Sequence, residues 1–359
     1  MADVYERLRK RLDMFPQGFP KTESGVELEI LQHLFTPEEA EIMLHLRPFP
    51  EKLSAIAARA GKDETELGET LYGMSRRGLI LRYRAPNGEM YYFLIPWVVG
   101  IWEFQLNRMT RENIELYDRF YHEGMVPSGR NRETGLFRVI PVEKEIQGGT
   151  EIQPYEQVSR IIDSNTRFAV AECICRKESR MVGKGCDKLL EACMSFGPAA
   201  DFYIENGLGR EISQEEARRI LLKAEEDGLI HCSWNHAGNK DFICNCCGCC
   251  CKVLALITKY DNPGAVTKSN YYATKDEETC TTCGTCVERC QVGAIRMDND
   301  LTVINRERCI GCGLCVSTCP TGSISMVRKS PEEAPAVFSS GREMLQAMGK
   351  ETGKKFPFE

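Results

Sequence analysis

Between residues 280 and 319 one spacing of cysteines is written twice. Cys280, Cys283, Cys286 and Cys290 are followed by Cys309, Cys312, Cys315 and Cys319, with Pro320 after the last. Each half reads cysteine, two residues, cysteine, two residues, cysteine, three residues, cysteine. Two-residue gaps make loops tight enough to aim successive thiolates at different atoms of one small inorganic core, and the longer last gap aims the fourth thiolate elsewhere. The repeat is about 29 residues long, the internal self-similarity of one unit used twice. Gly284, Gly311 and Gly313 lie among the cysteines, where a missing side chain lets backbone N–H groups approach sulfur. A β-prone stretch follows each fourth cysteine, at 293–296 and 322–325, and Asp298-Asn299-Asp300 reads as the turn that returns the chain through 301–303.

This double spacing resembles the two-cluster ferredoxins of bacteria. The resemblance implies two [4Fe-4S] clusters with interleaved ligands, Cys280, Cys283, Cys286 and Cys319 for the first and Cys309, Cys312, Cys315 and Cys290 for the second. Gln291 departs from the pattern, because proline usually follows the last cysteine of the first half; the change touches loop rigidity and not ligation. A zinc-binding domain and a disulfide framework are the competing readings. Zinc sites close with four ligands in a tetrahedron, which eight interleaved cysteines overshoot.

The chain has 359 residues, enough for two or three domains, and nineteen of them are cysteine. No basic start followed by an apolar run marks a signal peptide, and the longest apolar stretch, 91–102, is broken by Pro96 and too short for a bilayer span. The expectation is a cytoplasmic protein with no membrane span, whose reduced thiols serve metals and not disulfides. A net charge of -6 and a pI near 5.7 argue against nucleic acid as a main partner and leave a basic redox partner open.

Residues 1–110 read as a first domain. A helix is expected over 27–35. Thr36-Pro37-Glu38-Glu39 then supplies an N-cap, a first-turn proline and an acid at the third position, opening a helix that Arg47-Pro48 ends. Leu53, Ile56 and Ala57 share a helix stopped by Gly61, and Asp63 caps another carrying Leu67, Leu71 and Met74. A hairpin over 79–84 and 90–95, turning at Pro86-Asn87-Gly88, completes a pattern that resembles a winged-helix domain. Winged helices often bind DNA, but Asp63, Glu64, Glu66 and Glu69 crowd the leading end of the third helix, where a duplex would present phosphate. Arg76, Arg77, Arg82 and Arg84 form the opposing basic patch. A structural or protein-docking use is therefore preferred, and Trp97 and Trp102 are expected to pack the wing onto the next segment.

Residues 111–150 read as a polar connector, with a helical run around Ile114 to Tyr121 and then a charge-rich stretch through Gly148-Gly149, in which His122 receives no role. The middle domain, 151–270, opens with a helix from Pro154-Tyr155-Glu156 through Ile162, and a strand over 168–170 delivers Cys173 and Cys175. Ser213 and Glu216 make a capping box for a helix stopped at Gly228, and 229–231 is a strand leading to Cys232. Candidate ligands of an additional site are Cys173, Cys175, Cys186, Cys193, Cys244, Cys246, Cys247, Cys249, Cys250 and Cys251. Thiolates this dense repel one another and oxidise, so six in eight residues imply a neutralising cation or cluster. An additional iron-sulfur cluster is the preferred reading over zinc, a catalytic or relay dithiol, or no site, and the spacing does not say which four cysteines act. Arg176 and Lys177 either lower thiolate pKa and tune a cluster or form a solvated basic turn.

Gly18-Phe19-Pro20, Gly25-Val26-Glu27-Leu28, Phe35-Thr36-Pro37-Glu38-Glu39-Ala40, Pro154-Tyr155-Glu156, Cys173-Ile174-Cys175-Arg176, Cys244-Asn245-Cys246-Cys247-Gly248-Cys249-Cys250 and the double spacing together resemble the dicluster [4Fe-4S] ferredoxin-domain proteins of anaerobic bacteria over nearly the full length. The resemblance implies an oxygen-sensitive electron-transfer subunit or iron-sulfur oxidoreductase and supplies no substrate. The expected fold is α+β and multidomain: a winged-helix-like N-terminal domain, an α/β Cys-rich middle domain, a C-terminal bacterial 2[4Fe-4S] ferredoxin-like domain at 271–330 and a tail at 331–359. No glycine-rich dinucleotide fingerprint or phosphate loop is present, so partners, a redox protein or an oxidoreductase subunit, are expected at either end of the electron path. A redox-responsive winged-helix regulator and a reductase centred on the middle cysteines are the alternatives.

Overall fold

Caps and stops written in the sequence set the first helices. In the computed structural model, which describes residues 2–129, 132–146, 152–262 and 264–358, Thr36 accepts from the Glu39 N–H and Glu39 reaches back to the Thr36 N–H, closing the capping box of the helix Pro37–Met43. Gly61, in the left-handed region at φ 63°, ends Leu53–Ala60, and the Asp63 carboxylate accepts from Thr65 and Glu66 at the start of Glu64–Arg76. Gly148-Gly149 of the expected connector lies outside the described residues.

The chain divides into two compact units. One comprises Met1–Asn131, Phe202–Gly209 and Leu345–Glu359, the other Arg132–Asp201 and Arg210–Met344. In the first, a helix Ala2–Asp13 precedes those read from the sequence, and the strands Leu81–Arg84 and Met90–Phe93 form a hairpin whose second strand also pairs with Glu51–Lys52. The helical run expected around Ile114 to Tyr121 is the helix Arg111–Phe120, which buries Ile114, Tyr117 and Phe120 and so belongs to the core of this unit. Its aromatic side meets Trp97 and Phe19, with the Trp97 ring 5.2 Å from Tyr117. Phe356 and Phe358 of the tail pack on Phe15, and Lys354 pairs with Asp13. Three of the four arginines of the basic patch are engaged inside this unit: Arg76 donates to Asn206, Arg77 pairs with Glu39, and Arg82, 5% exposed, donates to Ser75, Asn206 and Glu205.

The second unit is built on one antiparallel six-stranded sheet. Its strands lie in the order Phe137–Ile140, Ile230–Trp234, Phe242–Cys246, Glu191–Phe196, Phe168–Glu172, Arg210–Glu211. Side chains alternate between its faces. Ile140, Val170, Met194, Phe196 and Ile243 line the face covered by the helices Val158–Asp163 and Gln214–Glu226, in a core with Ile161, Ile162, Ala217 and Leu221. Ser213 caps the longer helix by accepting from the Glu216 N–H, while the Glu216 carboxylate pairs with Arg210 2.8 Å away.

The cysteine-rich C-terminal segment carries two small antiparallel ladders, Tyr271–Lys275 with Ile324–Arg328 and Ile295–Asp298 with Leu301–Ile304. The second turns through Asn299 and Asp300, both at positive φ, as the sequence implies. Gly311, at φ 71°, must be glycine for a second reason: a Cβ there would fall 2.1 Å from the Tyr271 carbonyl oxygen.

A buried ion pair ties these parts together. Arg138 and Glu156 are 1% and 0% exposed, 3.5 Å apart, and Arg138 also donates to Asn235 and to the Ala336 carbonyl, while Glu156 accepts from the Asn270 N–H. Removing one partner strands the other charge in the interior. Arg138→Met is therefore expected to destabilise this unit by about 3–5 kcal/mol, and the double change Arg138→Met/Glu156→Leu by less than Arg138→Met alone, as read from denaturant midpoints.

Candidate metal centres

The dicluster segment brings its thiols together as two quartets. Cys319 joins Cys280, Cys283 and Cys286 around a single recess, also lined by Thr281, Thr321 and Ser323. This quartet faces outward, with Cys283 exposed. Burial pushes the Cys319 thiol up, but hydrogen bonds from Ser323, Thr321 and the Ile324 N–H outweigh it and bring it down to about 6. Cys283 is likewise lowered, by the Thr285 hydroxyl and N–H. The other four cysteines lie deeper. Burial first, and then the neighbouring thiols of Cys309 and Cys290, push Cys315 up to about 12, and Cys312 is raised well above the usual thiol range by burial and Cys315. Cys290 accepts from the Ala294 N–H at 3.2 Å. Donors around one quartet and dry surroundings at the other are the two levers by which a protein separates the potentials of paired clusters.

In the middle region the sheet ends deliver the thiols. Cys247 follows the strand Phe242–Cys246, and the turn beyond it carries Cys249 and Cys250. Cys186 comes from the loop before Glu191–Phe196, held where Arg180 donates to the Cys186 and Lys188 carbonyls. The Sγ atoms of Cys186, Cys247, Cys249 and Cys250 all lie within 4.8 Å of one another, with Cys186 3.9 Å from Cys247 and 3.7 Å from Cys250. Four sulfurs this close suit one tetrahedral metal or an iron-sulfur group. Arg176, 0% exposed, reaches to 3.6 Å from the Cys247 sulfur and also donates to the Leu189 and Asn245 carbonyls. Burial raises the Cys247 thiol, but the Arg176 charge and the Cys250 N–H overcome it and hold it down to about 7, so one ligand is close to ionised before any metal arrives. Cys249 is pushed up by burial and by the Cys247 charge. Lys177 takes no part here and pairs with Glu172 at 2.6 Å.

Of the ten middle-region candidates, the structure gathers Cys186, Cys247, Cys249 and Cys250 into this quartet, and Cys173, Cys175, Cys193, Cys244, Cys246 and Cys251 stand apart from it. It adds Cys232, absent from the candidates because nothing in its sequence surroundings repeats a ligand spacing; its strand partner is Cys244.

The quartet abuts the dicluster segment at Cys290-Gln291. The Gly248 N–H donates to the Gln291 side-chain oxygen at 3.1 Å, and Gln291 also accounts for the glycine, since a Cβ on residue 248 would sit 1.9 Å from the Gln291 carbonyl oxygen. A proline at 291 would lack this side-chain acceptor. Two arginines staple the same junction: Arg289 donates to the last carbonyls of the helix Gln214–Glu226, at Glu225 and Glu226, and Arg308 to Ile257 near the end of Lys252–Thr258.

Residues 273–326 match the family model of the 4Fe-4S dicluster domain. No curated protein and no solved structure matches the chain. The matched segment and the cysteine quartet of the middle region support an iron-sulfur protein that binds at least one [4Fe-4S] cluster on a ferredoxin-type domain. Among the described residues no helix is long and apolar enough to cross a membrane.

The Gly248–Gln291 junction carries a direct test. Gly248→Ala forces the loop or Gln291 to move and is expected to cost about 1–3 kcal/mol in denaturant unfolding, whereas Gly73→Ala, with nothing within 4 Å of its new methyl, should cost nothing. Equal stability of the two variants would contradict the close approach.

Proposed function

We propose that this chain is an iron-sulfur electron-transfer protein or subunit that serves a partner oxidoreductase. Cys280, Cys283, Cys286 and Cys319 are the ligands of one [4Fe-4S] cluster, Cys309, Cys312, Cys315 and Cys290 of a second, and Cys186, Cys247, Cys249 and Cys250 of a third iron-sulfur group. Such groups, when bound, supply reversible one-electron exchange. The residues around them divide the remaining work. Thr321 and Ser323 direct hydroxyls at Cys319 beside the exposed recess, which is the face a redox partner reaches. Burial of Cys309 and Cys315 keeps water from the inner quartet. Arg176 offsets thiolate charge at the third site.

The observation that carries this reading is the contact between Cys290-Gln291 and Gly248, which puts ligand sets of the dicluster segment and the middle quartet on adjoining loops of one unit. The N-terminal helices and hairpin serve protein docking in this reading. Duplex binding is disfavoured because Arg77 and Arg82 already neutralise Glu39 and Glu205.

Metal and sulfide analysis of anaerobically purified full-length chain, with paramagnetic resonance of the reduced protein, tests the proposal. More than about eight irons per chain are expected, with interacting cluster signals from the dicluster segment. Cys247→Ser/Cys249→Ser should lose iron and keep those signals. A colourless, folded, iron-free parent overturns the whole reading, and loss of zinc from the double variant overturns the third site.

A further inference from the structure

The quartet at Cys186 leaves seven of the middle-region cysteines over, and four of these, Cys193, Cys232, Cys244 and Cys246, lie on adjoining strands of the sheet. Strand register sets Cys193 opposite Cys244 and Cys244 opposite Cys232, so three thiols stand in a row across three neighbouring strands. Residues directly opposite share a face of the sheet, and Cys246, two positions beyond Cys244, shares it too. Neighbouring sulfurs on this face act on one another: Cys193 and then Cys246 push the Cys244 thiol up, and Cys232 pushes Cys246 up. From Cys246 the same electrostatic coupling runs on to Cys251, then to Cys175 and Cys173.

This network is not an extension of the first quartet. Ala192 packs with Cys247, Cys250 and Ala224, and Ala224 lies on the helix Gln214–Glu226 that covers the Met194 and Ile243 face. Cys193 and Cys244 alternate with Met194 and Ile243 and therefore belong to the opposite face. The sheet itself separates Cys193, Cys232, Cys244 and Cys246 from the quartet.

Neighbouring sulfurs and burial push Cys173, Cys175 and Cys251 well above the usual thiol range, and the N–H groups of Arg176, Lys252 and Leu254 act against that rise. N–H donors of this kind offset the charge of metal-bound thiolates. Packing alone is a poor account. Single buried cysteines behave as small apolar residues, but here all nineteen are free thiols and four of them share one face of the sheet. Soft thiolates select iron-sulfur clusters, zinc or copper(I). Seven sulfurs exceed a closed zinc tetrahedron, and the adjoining ligand sets are of the iron-sulfur kind.

We propose that this network, centred on Cys244 and Cys246, holds a second iron-sulfur centre of the middle region, on the sheet face opposite the Cys186 quartet. It rests on the reading of the chain as an iron-sulfur protein but not on the identity of the metal at that quartet. The test uses full-length protein purified anaerobically, with iron, zinc, copper and sulfide counted per chain. Cys244→Ser/Cys246→Ser should lose at least about four irons while the reduced dicluster signals persist. Cys247→Ser/Cys249→Ser, altered on the other face, should still hold more than about eight irons, and this measurement stands if the first variant fails to fold. No more than about eight irons in Cys247→Ser/Cys249→Ser overturns the proposal, as does zinc or copper as the metal lost from Cys244→Ser/Cys246→Ser. Failure of the electron-transfer reading looks different, because the parent itself would then lack iron and the dicluster signals.

Discussion

Repulsion between crowded thiolates is the constraint that governs this molecule. Nineteen cysteines in one chain are tolerated only where each ionised sulfur has a metal, a cation or a hydrogen-bond donor beside it. The described fold answers in three ways. Hydroxyls and N–H groups surround Cys319 and Cys283 near the surface. A buried guanidinium stands against Cys247. At Cys312 and Cys315 burial outweighs the backbone N–H donors and pushes the thiols up, so ligation there proceeds with proton release.

The sheet of the second unit organises these solutions in space. Its one face carries an ordinary apolar core against two helices, with the Cys186 quartet at the margin of that core. The other face carries a row of cysteines across three strands. Arg289 and Arg308, each donating to carbonyls near a helix end, fasten the dicluster segment to the same unit, and Gln291 fits against a glycine at the centre of the junction. Cationic side chains suit helix C-termini because the last carbonyls there lack intrahelical partners.

Local signals in the sequence translated well. The Thr36 capping box, the Gly61 stop, the Asp63 cap and the Asn299-Asp300 turn are each decided within a few residues, and each forms where the sequence places it. Signals that depend on distant partners did not translate. The strand Phe242–Cys246 is not assigned from the sequence because its hydrogen bonds go to 230–234 and 191–196, and the helical run around 114–121 gives no sign that its apolar residues meet Phe19 and Trp97. Gln291 looked like a defect in a pattern until its side chain met the Gly248 N–H.

By itself the amino-acid sequence laid out the doubled cysteine motif within the segment that matches the 4Fe-4S dicluster domain, because spacing along a tight loop is a local property. Tertiary structure alone decided how the remaining eleven are partitioned. Sheet register and alternation send Cys193, Cys232, Cys244 and Cys246 to one face, and loop closure brings Cys186 across to Cys247, Cys249 and Cys250. Such pairings are set by hydrogen bonds between segments tens of residues apart, which no spacing within one segment encodes.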